Sequence, residues 1–129
     1  MKKLLFVLFG VVVVFVWGIS RQAPAGTEGL ISDNEIYVFI QRGCSHCKAA
    51  EKYLKEKHPD LKLQLKDISE PGNLKLFFAC GAKFKLNKVT MGTPLFCMGK
   101  NYILGWSFAE QQKFETYVQD FLQKETVAE

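Results

Sequence analysis

The sequence of 129 residues lacks an internal repeat, a low-complexity tract beyond one N-terminal apolar run, and any acidic residue before Glu28. Its 48% of hydrophobic and 23% of charged residues are typical of an ordinary globular protein, which excludes a disordered tail, a collagen-like fibre and a coiled coil. A concentrated basic stripe is also missing. Three of the 17 basic residues lie at or before residue 21, and beyond it basic residues exceed the 13 acidic ones by one, so nucleic-acid binding is not expected.

The N-terminal apolar run, residues 4–19, contains no charge and follows Lys2 and Lys3. A core helix would have a polar face, and this run has none, so we predict a membrane-directed segment over residues 1–20. It is either an uncleaved signal anchor, just short of the roughly 17–25 apolar residues of a spanning helix, or a signal peptide cleaved near Ala23-Pro24-Ala25. Both interpretations export the rest of the chain, and the two lysines keep the N-terminus in the cytoplasm. In a bacterium the domain would then face the periplasm from the inner membrane, or lie free in the periplasm after cleavage.

Beyond a predicted linker at 21–34, residues 35–129 are expected to form one domain in which strands alternate with helices. Apolar and β-branched runs, or alternating leucines, predict the strands, and a helical period of apolar residues predicts the helices. The expected order is β-α-β-α-β-β-α, with a mixed sheet. The predicted elements are 35–41, 45–57, 61–66, 74–82, 95–98 and 101–104, with a last helix that begins at the capping box Ser107–Glu110.

The apolar faces of the two later helices follow from spacing. Residues Leu74, Phe77, Phe78 and Ala82 are predicted to share the buried face of the second helix. The last helix is predicted to bury the set Phe114, Tyr117, Val118, Phe121 and Leu122, and Trp106 before it is expected in the core.

The chemically reactive residues are concentrated at Cys44-Ser45-His46-Cys47, a Cys-x-x-Cys motif that follows a predicted strand and opens a predicted helix. The unpaired N–H groups and positive dipole of a helix N-terminus stabilise a thiolate, so Cys44 is predicted to be the exposed nucleophile. Cys47, one turn into the helix, is predicted to be more buried and to resolve a mixed disulfide. The alternatives are a structural disulfide or half of a zinc site, but a four-cysteine zinc site usually has two such pairs.

Residues 35–124 resemble thioredoxin-fold disulfide oxidoreductases, most closely the small glutaredoxin-like and Dsb-type members. The resemblance lies in the Cys44–Cys47 motif, the Thr93-Pro94 pair before a strand, and the hairpin between Gly99 and Gly105. It implies a cis-proline at Pro94 that faces the cysteine pair. It also implies that the backbone of Thr93 and Pro94 receives a substrate peptide and keeps metals off the pair, and it implies no cofactor. The resemblance further implies two kinds of partner: substrate proteins with thiols or disulfides, and a membrane redox protein that recycles the cysteine pair.

The subfamily is indicated by departures from the glutaredoxin pattern. Gly92-Thr93-Pro94 lacks the valine of the glutaredoxin loop, Trp106 replaces a second glycine, and Ser107-Phe108 offers no acid, so glutathione is not expected as a dedicated substrate. The loop is more similar to that of periplasmic disulfide isomerases, but the chain lacks their separate dimerisation domain.

Ser45 and His46, between the cysteines, are the predicted tuning residues. A histidine beside the nucleophile can pair with its thiolate, and a stabilised reduced form makes the disulfide a stronger oxidant. The alternative is a solvated histidine on an exposed first turn. His58, at the end of the same helix, is predicted to be a surface residue.

The remaining cysteines and a group of lysines have two interpretations each. We predict that Cys80 and Cys97 are separate buried thiols, and the alternative is that they form a second disulfide. Lys83, Lys85 and Lys88 either steer an acidic partner toward the site or belong to a solvated loop.

For the whole chain, the alternative to a redox enzyme is a non-catalytic Cu(I) or Zn carrier that uses Cys44 and Cys47, although no methionine cluster or second Cys-x-x-Cys supports it.

Overall fold

Four short strands form one mixed sheet in the computed structural model, which describes residues 29–127. The strands are β1 Ile36–Ile40, β2 Gln64–Asp67, β3 Leu95–Met98 and β4 Asn101–Leu104. Their order across the sheet is β2-β1-β3-β4, with β1 parallel to β2 and antiparallel to β3, and β3 antiparallel to β4. The predicted mixed four-stranded sheet is therefore confirmed.

Three helices cover the two faces of the sheet, and their place in the chain confirms the predicted order β-α-β-α-β-β-α. They are α1 Ser45–Lys57, α2 Pro71–Lys83 and α3 Phe108–Val127. Successive side chains of β1 point to opposite faces, so this central strand is buried on both. Ile36 and Val38 pack with α1 and α3, whereas Tyr37 and Phe39 pack with α2. This architecture is compatible with a thioredoxin-like fold.

The segments that lead into the candidate site leave the strands at one end of the sheet, and we call this end the site edge. The register pairs Ile40 with Asp67, Phe39 with Leu95, and Leu95 with Leu104. The ends of β1, β2 and β4 therefore lie beside the start of β3. The opposite end, called the far edge, holds the start of β1 and the β3–β4 turn at Gly99.

The second predicted strand differs most from its counterpart in the structure. The strand predicted at 61–66 begins only at Gln64, and Leu65 is half exposed because β2 lies at the border of the sheet. Leu61 and Leu63 instead pack against the core from the segment before the strand. The alternation of leucines thus indicated an extended segment but not its bounds.

The apolar faces of α2 and α3 were predicted only in part. In α2, Phe77 is buried as expected, but Leu74 and Ala82 are exposed, and Cys80 and Gly81 are buried instead. Met91 packs closely on Gly81, which has no side chain, and covers this part of the helix. In α3, the predicted set is buried or half-buried except for Leu122. Trp106 is buried in the core, as predicted.

His58 is half-buried between helices, and the prediction of a surface residue is wrong. Its ring packs at 5.3 Å, edge to face, against that of Phe114, and its Nε2 lies 2.6 Å from Oε1 of Glu115 on α3. The hydroxyl of Tyr53 donates to the same carboxylate oxygen at 2.5 Å. An acid from a distant helix therefore holds the C-terminal end of α1 against α3.

The predicted signal anchor or signal peptide at residues 1–20, and the first part of the predicted linker, lie outside the described residues. Within residues 29–127, no helix combines the length and apolar character needed to cross a bilayer.

Candidate redox site

The Cys-x-x-Cys motif lies at the site edge, where the chain turns from β1 into α1. Gly43 has a φ of +78°, a backbone conformation that glycine adopts without a steric penalty, so the chain can turn sharply there. Cys44 is the N-cap of α1, and the N–H of Cys47 donates to its Sγ at 3.1 Å. The cysteine side chain thus satisfies one of the unpaired donors at the start of the helix.

Cys44 and Cys47 form a disulfide, with their Cα atoms 5.2 Å apart. Cys44 is half-buried, whereas Cys47 is 2% exposed. A partner thiol can therefore approach the sulfur of Cys44 more easily than that of Cys47. This asymmetry is the one expected for a nucleophile and its resolving cysteine, although the roles themselves stay predictions.

The Thr93-Pro94 pair lies beside the motif, and its peptide bond is cis, as the resemblance implied. The carbonyl oxygen of Thr93 is 3.5 Å from Sγ of Cys44. Pro94 is buried, and its own carbonyl accepts the N–H of Gly105 at 2.8 Å. The structure thus brings together Cys44, Cys47, Thr93 and Pro94, and it adds Gly105 from the end of β4.

Ser45 and His46 lie on the first turn of α1, and both are exposed. The exposed Arg42 lies before the motif, and its Nε is 3.6 Å from the carboxylate of Asp67 at the end of β2. The hydroxyl and the N–H of Ser69 hold the pKa of the Asp67 carboxyl below its usual value, and the charge of Arg42 adds to this effect. The site edge therefore carries both a cation and an ionised carboxylate.

Lys83 does not belong to a solvated loop beside the site. Its ammonium group donates to the carboxylate of Asp33 and, at 2.6 Å, to the carbonyl of Gly99. This cation is therefore paired at the far edge, away from Cys44. Lys88 extends over the ring of Phe78, 6.0 Å from its centroid.

Cys80 and Cys97 form a second disulfide, with Cα atoms 6.3 Å apart, so the preferred interpretation of two separate thiols is corrected. Cys97 faces the same side of β3 as Leu95, and α2 packs its Cys80 onto that side. The strand period and the helix face could have indicated a shared cluster. The distance between the two sulfurs depends on how closely α2 approaches the sheet, which the sequence alone does not reveal.

The alternative function, a metal carrier, would need side chains that can bind a metal ion close to one another. Among residues 29–127, no group of three or more His, Cys, Asp or Glu side chains is arranged to hold a metal ion. Comparisons with protein-family models, with curated proteins and with solved structures return no match. The functional argument therefore depends on the geometry of the site.

Proposed function

We propose that this protein is a thiol-disulfide oxidoreductase that acts on cysteines of other proteins. The observation that carries the proposal is the disulfide at the N-terminus of α1, in which Cys44 is accessible and Cys47 is buried. In the reduced state the helix dipole and the N–H of Cys47 favour a thiolate on Cys44. The thiolate is the form of cysteine that attacks disulfides.

The reaction proceeds through a mixed disulfide. The Cys44 thiolate attacks one sulfur of a substrate disulfide, a Cys44–substrate bond forms, and the second substrate cysteine leaves as a thiolate that takes up a proton. The Cys47 thiolate then attacks Sγ of Cys44, which restores the Cys44–Cys47 bond and releases the first substrate cysteine. The substrate gains two electrons and the enzyme loses two. The same steps in reverse oxidise a substrate dithiol.

The Thr93-Pro94 backbone is the proposed docking site for the substrate chain. The carbonyl of Thr93 borders Sγ of Cys44, so a polypeptide that presents its cysteine to Cys44 passes this carbonyl. Ser45 and His46 are the proposed tuning residues because they are exposed on the turn between the two sulfurs. A shift of the reduction potential in His46→Ala would support that role.

The proposed location is outside the cytosol, with the domain anchored to the membrane or released from it. The charge-free residues 4–19 after Lys2 and Lys3 support export, and protein disulfides, the proposed substrates or products, persist outside the cytosol. A membrane redox protein that restores the Cys44–Cys47 pair after each cycle is the proposed partner.

The test is insulin reduction with dithiothreitol by the full chain in detergent. Cys44→Ser should lower the catalysed rate to background, and Cys47→Ser should trap a mixed disulfide with the substrate on Cys44. Ala49→Ser is the matched control because it adds the same hydroxyl to an exposed position of α1, and it should leave the rate unchanged. An equal rate in Cys44→Ser and the native chain would refute the proposal.

The reduction potential of the Cys44–Cys47 pair, measured against glutathione buffers, decides the direction of electron flow. A value of about −120 mV marks a donor of disulfides, and one of about −270 mV marks a reductant. Titration of the same protein with Cu(I) and Zn tests the carrier alternative. Tight one-to-one binding without insulin turnover would favour the carrier.

A further inference from the structure

The connection between α2 and β3, residues 84–94, joins the two ends of the sheet. The last residue of α2, Lys83, contacts Gly99 at the far edge, whereas Thr93 contacts Cys44 at the site edge. The connection therefore runs from one end of the sheet to the other without a strand or helix of its own. Something must hold its last residues in place if the carbonyl of Thr93 is to stay beside Sγ of Cys44.

The Cys80–Cys97 disulfide encloses this connection. Cys80 lies in the last turn of α2, and Cys97 lies within β3, two residues beyond Leu95. The bond joins the helix before the connection to the strand after it. It therefore prevents α2 and β3 from separating and fixes both ends of the connection.

A second set of contacts continues from this disulfide toward the site, through Gly81. The N–H of Leu86 donates to the carbonyl of Gly81 at 2.8 Å. The side chain of Met91 packs so closely on Gly81 that a β-carbon there would lie 2.6 Å from its Cε. Met91 is two residues before Thr93, so the contacts link Cys80 and Gly81 with the carbonyl at the redox site.

The two disulfides differ in accessibility. Cys80 and Cys97 are 0% and 1% exposed, in a cluster with the rings of Tyr37, Phe39 and Phe77, whereas Cys44 is half-buried at the surface. Thiol–disulfide exchange requires a thiolate to approach a sulfur along the S–S axis. A partner that reaches Cys44 cannot reach the second bond while the domain is folded.

We propose that Cys80–Cys97 is a non-exchanging disulfide whose role is to position the Thr93 carbonyl beside Cys44. The proposal rests on the redox function proposed above. Cys80, Cys97, Gly81 and Met91 are positioning residues that do not touch the reacting sulfurs. The Cys44–Cys47 bond cycles, and the second bond stays oxidised throughout.

A thiol count in the full chain tests the non-exchanging half of the proposal. The protein is equilibrated with a graded series of thiol buffers, quenched with an alkylating agent and weighed by mass spectrometry. We expect the number of alkylated cysteines to rise from none to two, identified as Cys44 and Cys47, as the buffers become more reducing, and to reach four only after denaturation. Four alkylated cysteines in the folded protein at one common potential would overturn this half.

The positioning half is tested by Gly81→Ala and by the double variant Cys80→Ala/Cys97→Ala. Each variant is expected to displace the connection and with it the Thr93 carbonyl, which belongs to the proposed docking site. We therefore expect weaker docking of insulin, measured as a rise in KM of about tenfold with a smaller change in kcat, since a misplacement of about 1 Å can lower catalytic efficiency by about a hundredfold. The reduction potential of Cys44–Cys47 should shift in the same variants. Gly72→Ala, on the same helix with no atom within 4 Å of the added carbon, should leave both unchanged.

The outcomes separate a positioning role from simple stabilisation. If both variants lower the unfolding midpoint but keep the native KM and potential, the positioning role is refuted. If the double variant does not fold, Gly81→Ala still decides, because its disulfide is intact. If the native chain does not reduce insulin, the proposed function fails, whereas the thiol count and the potential still test the second disulfide.

Discussion

Replacement of Glu115 by glutamine should destabilise the protein by breaking the contact between α1 and α3. Oε1 of this carboxylate accepts the hydroxyl of Tyr53 at 2.5 Å and lies 2.6 Å from Nε2 of His58. A hydrogen bond to a charged group contributes about 1.5–3 kcal/mol, but the Glu115 side chain is 40% exposed, and water and the remaining amide oxygen replace part of what is lost. We therefore expect the free energy of unfolding to fall by about 1–2 kcal/mol.

The pH dependence of this loss follows from two shifted pKa values. Burial raises the pKa of the Glu115 carboxyl, but the hydrogen bonds from His58 and Tyr53 outweigh it, and the net pKa is lowered. A lowered pKa contributes stability above the unfolded value of about 4.3, and this contribution disappears as pH falls through the folded value. Burial and the bond to Glu115 raise the pKa of Tyr53 to about 12. The neutral phenol thus adds stability below about pH 10 that is lost as the pH rises toward 12.

Urea unfolding followed by circular dichroism at pH 7 and pH 3 is the assay. The native chain should be more stable than Glu115→Gln at pH 7, and the difference should be smaller at pH 3, because the stability that comes from the lowered pKa of Glu115 is lost as the pH falls. Glu125→Gln, which removes an exposed acid from the same helix, is the control and should differ little from the native chain at either pH. A difference of equal size at pH 3 and pH 7 would show that the charge of Glu115 is not what holds the helices together.

Three further predictions use the same unfolding assay. Phe114→Ala, at a fully buried ring, should lower the free energy of unfolding by about 3–5 kcal/mol, and a loss below about 1 kcal/mol would contradict the packing. Gly99→Ala should lower the free energy of unfolding by about 1–2 kcal/mol, because φ at Gly99 is +57° and the new β-carbon would lie 3.2 Å from the Asp33 carbonyl oxygen. Gly72→Ala should raise the free energy of unfolding by about 0.5–1 kcal/mol, because the added carbon meets no atom within 4 Å and alanine favours a helix. Equal effects of the two variants would refute this reasoning. Lys83→Met should cost less than about 1 kcal/mol, since the Asp33 side chain is 67% exposed. The pKa of Asp33, lowered mainly by the hydrogen bond from Lys83, should return toward its ordinary value in an NMR titration of that variant.

The order of strands and helices could be predicted from the sequence because each element depends on residues close together in the chain. The pattern of Ile, Tyr, Val and Phe in β1, the helix formers after Cys44 and the apolar spacing around Phe114 determine local backbone preferences. The candidate redox pair was equally accessible to prediction, since Cys44 and Cys47 are three residues apart and one turn of helix brings them together.

The bounds of the elements and the faces of the helices were less predictable. Leu65 belongs to the alternation of β2, yet it is half exposed because β2 is the border strand of the sheet that residues 29–127 form. The buried face of α2 includes Gly81 because Met91 packs there from a later segment. In both places the neighbours that decide burial come from elsewhere in the chain.

The contacts between distant residues were decided by the tertiary structure alone. His58 meets Glu115 across 57 positions, Lys83 meets Asp33 across 50, and Cys80 pairs with Cys97 across 17. A histidine, a lysine or a cysteine is found in several kinds of environment, so the residues next to it in the sequence do not determine its partner. The partner depends on how whole helices pack against the sheet, because this packing brings together side chains that are far apart in the sequence.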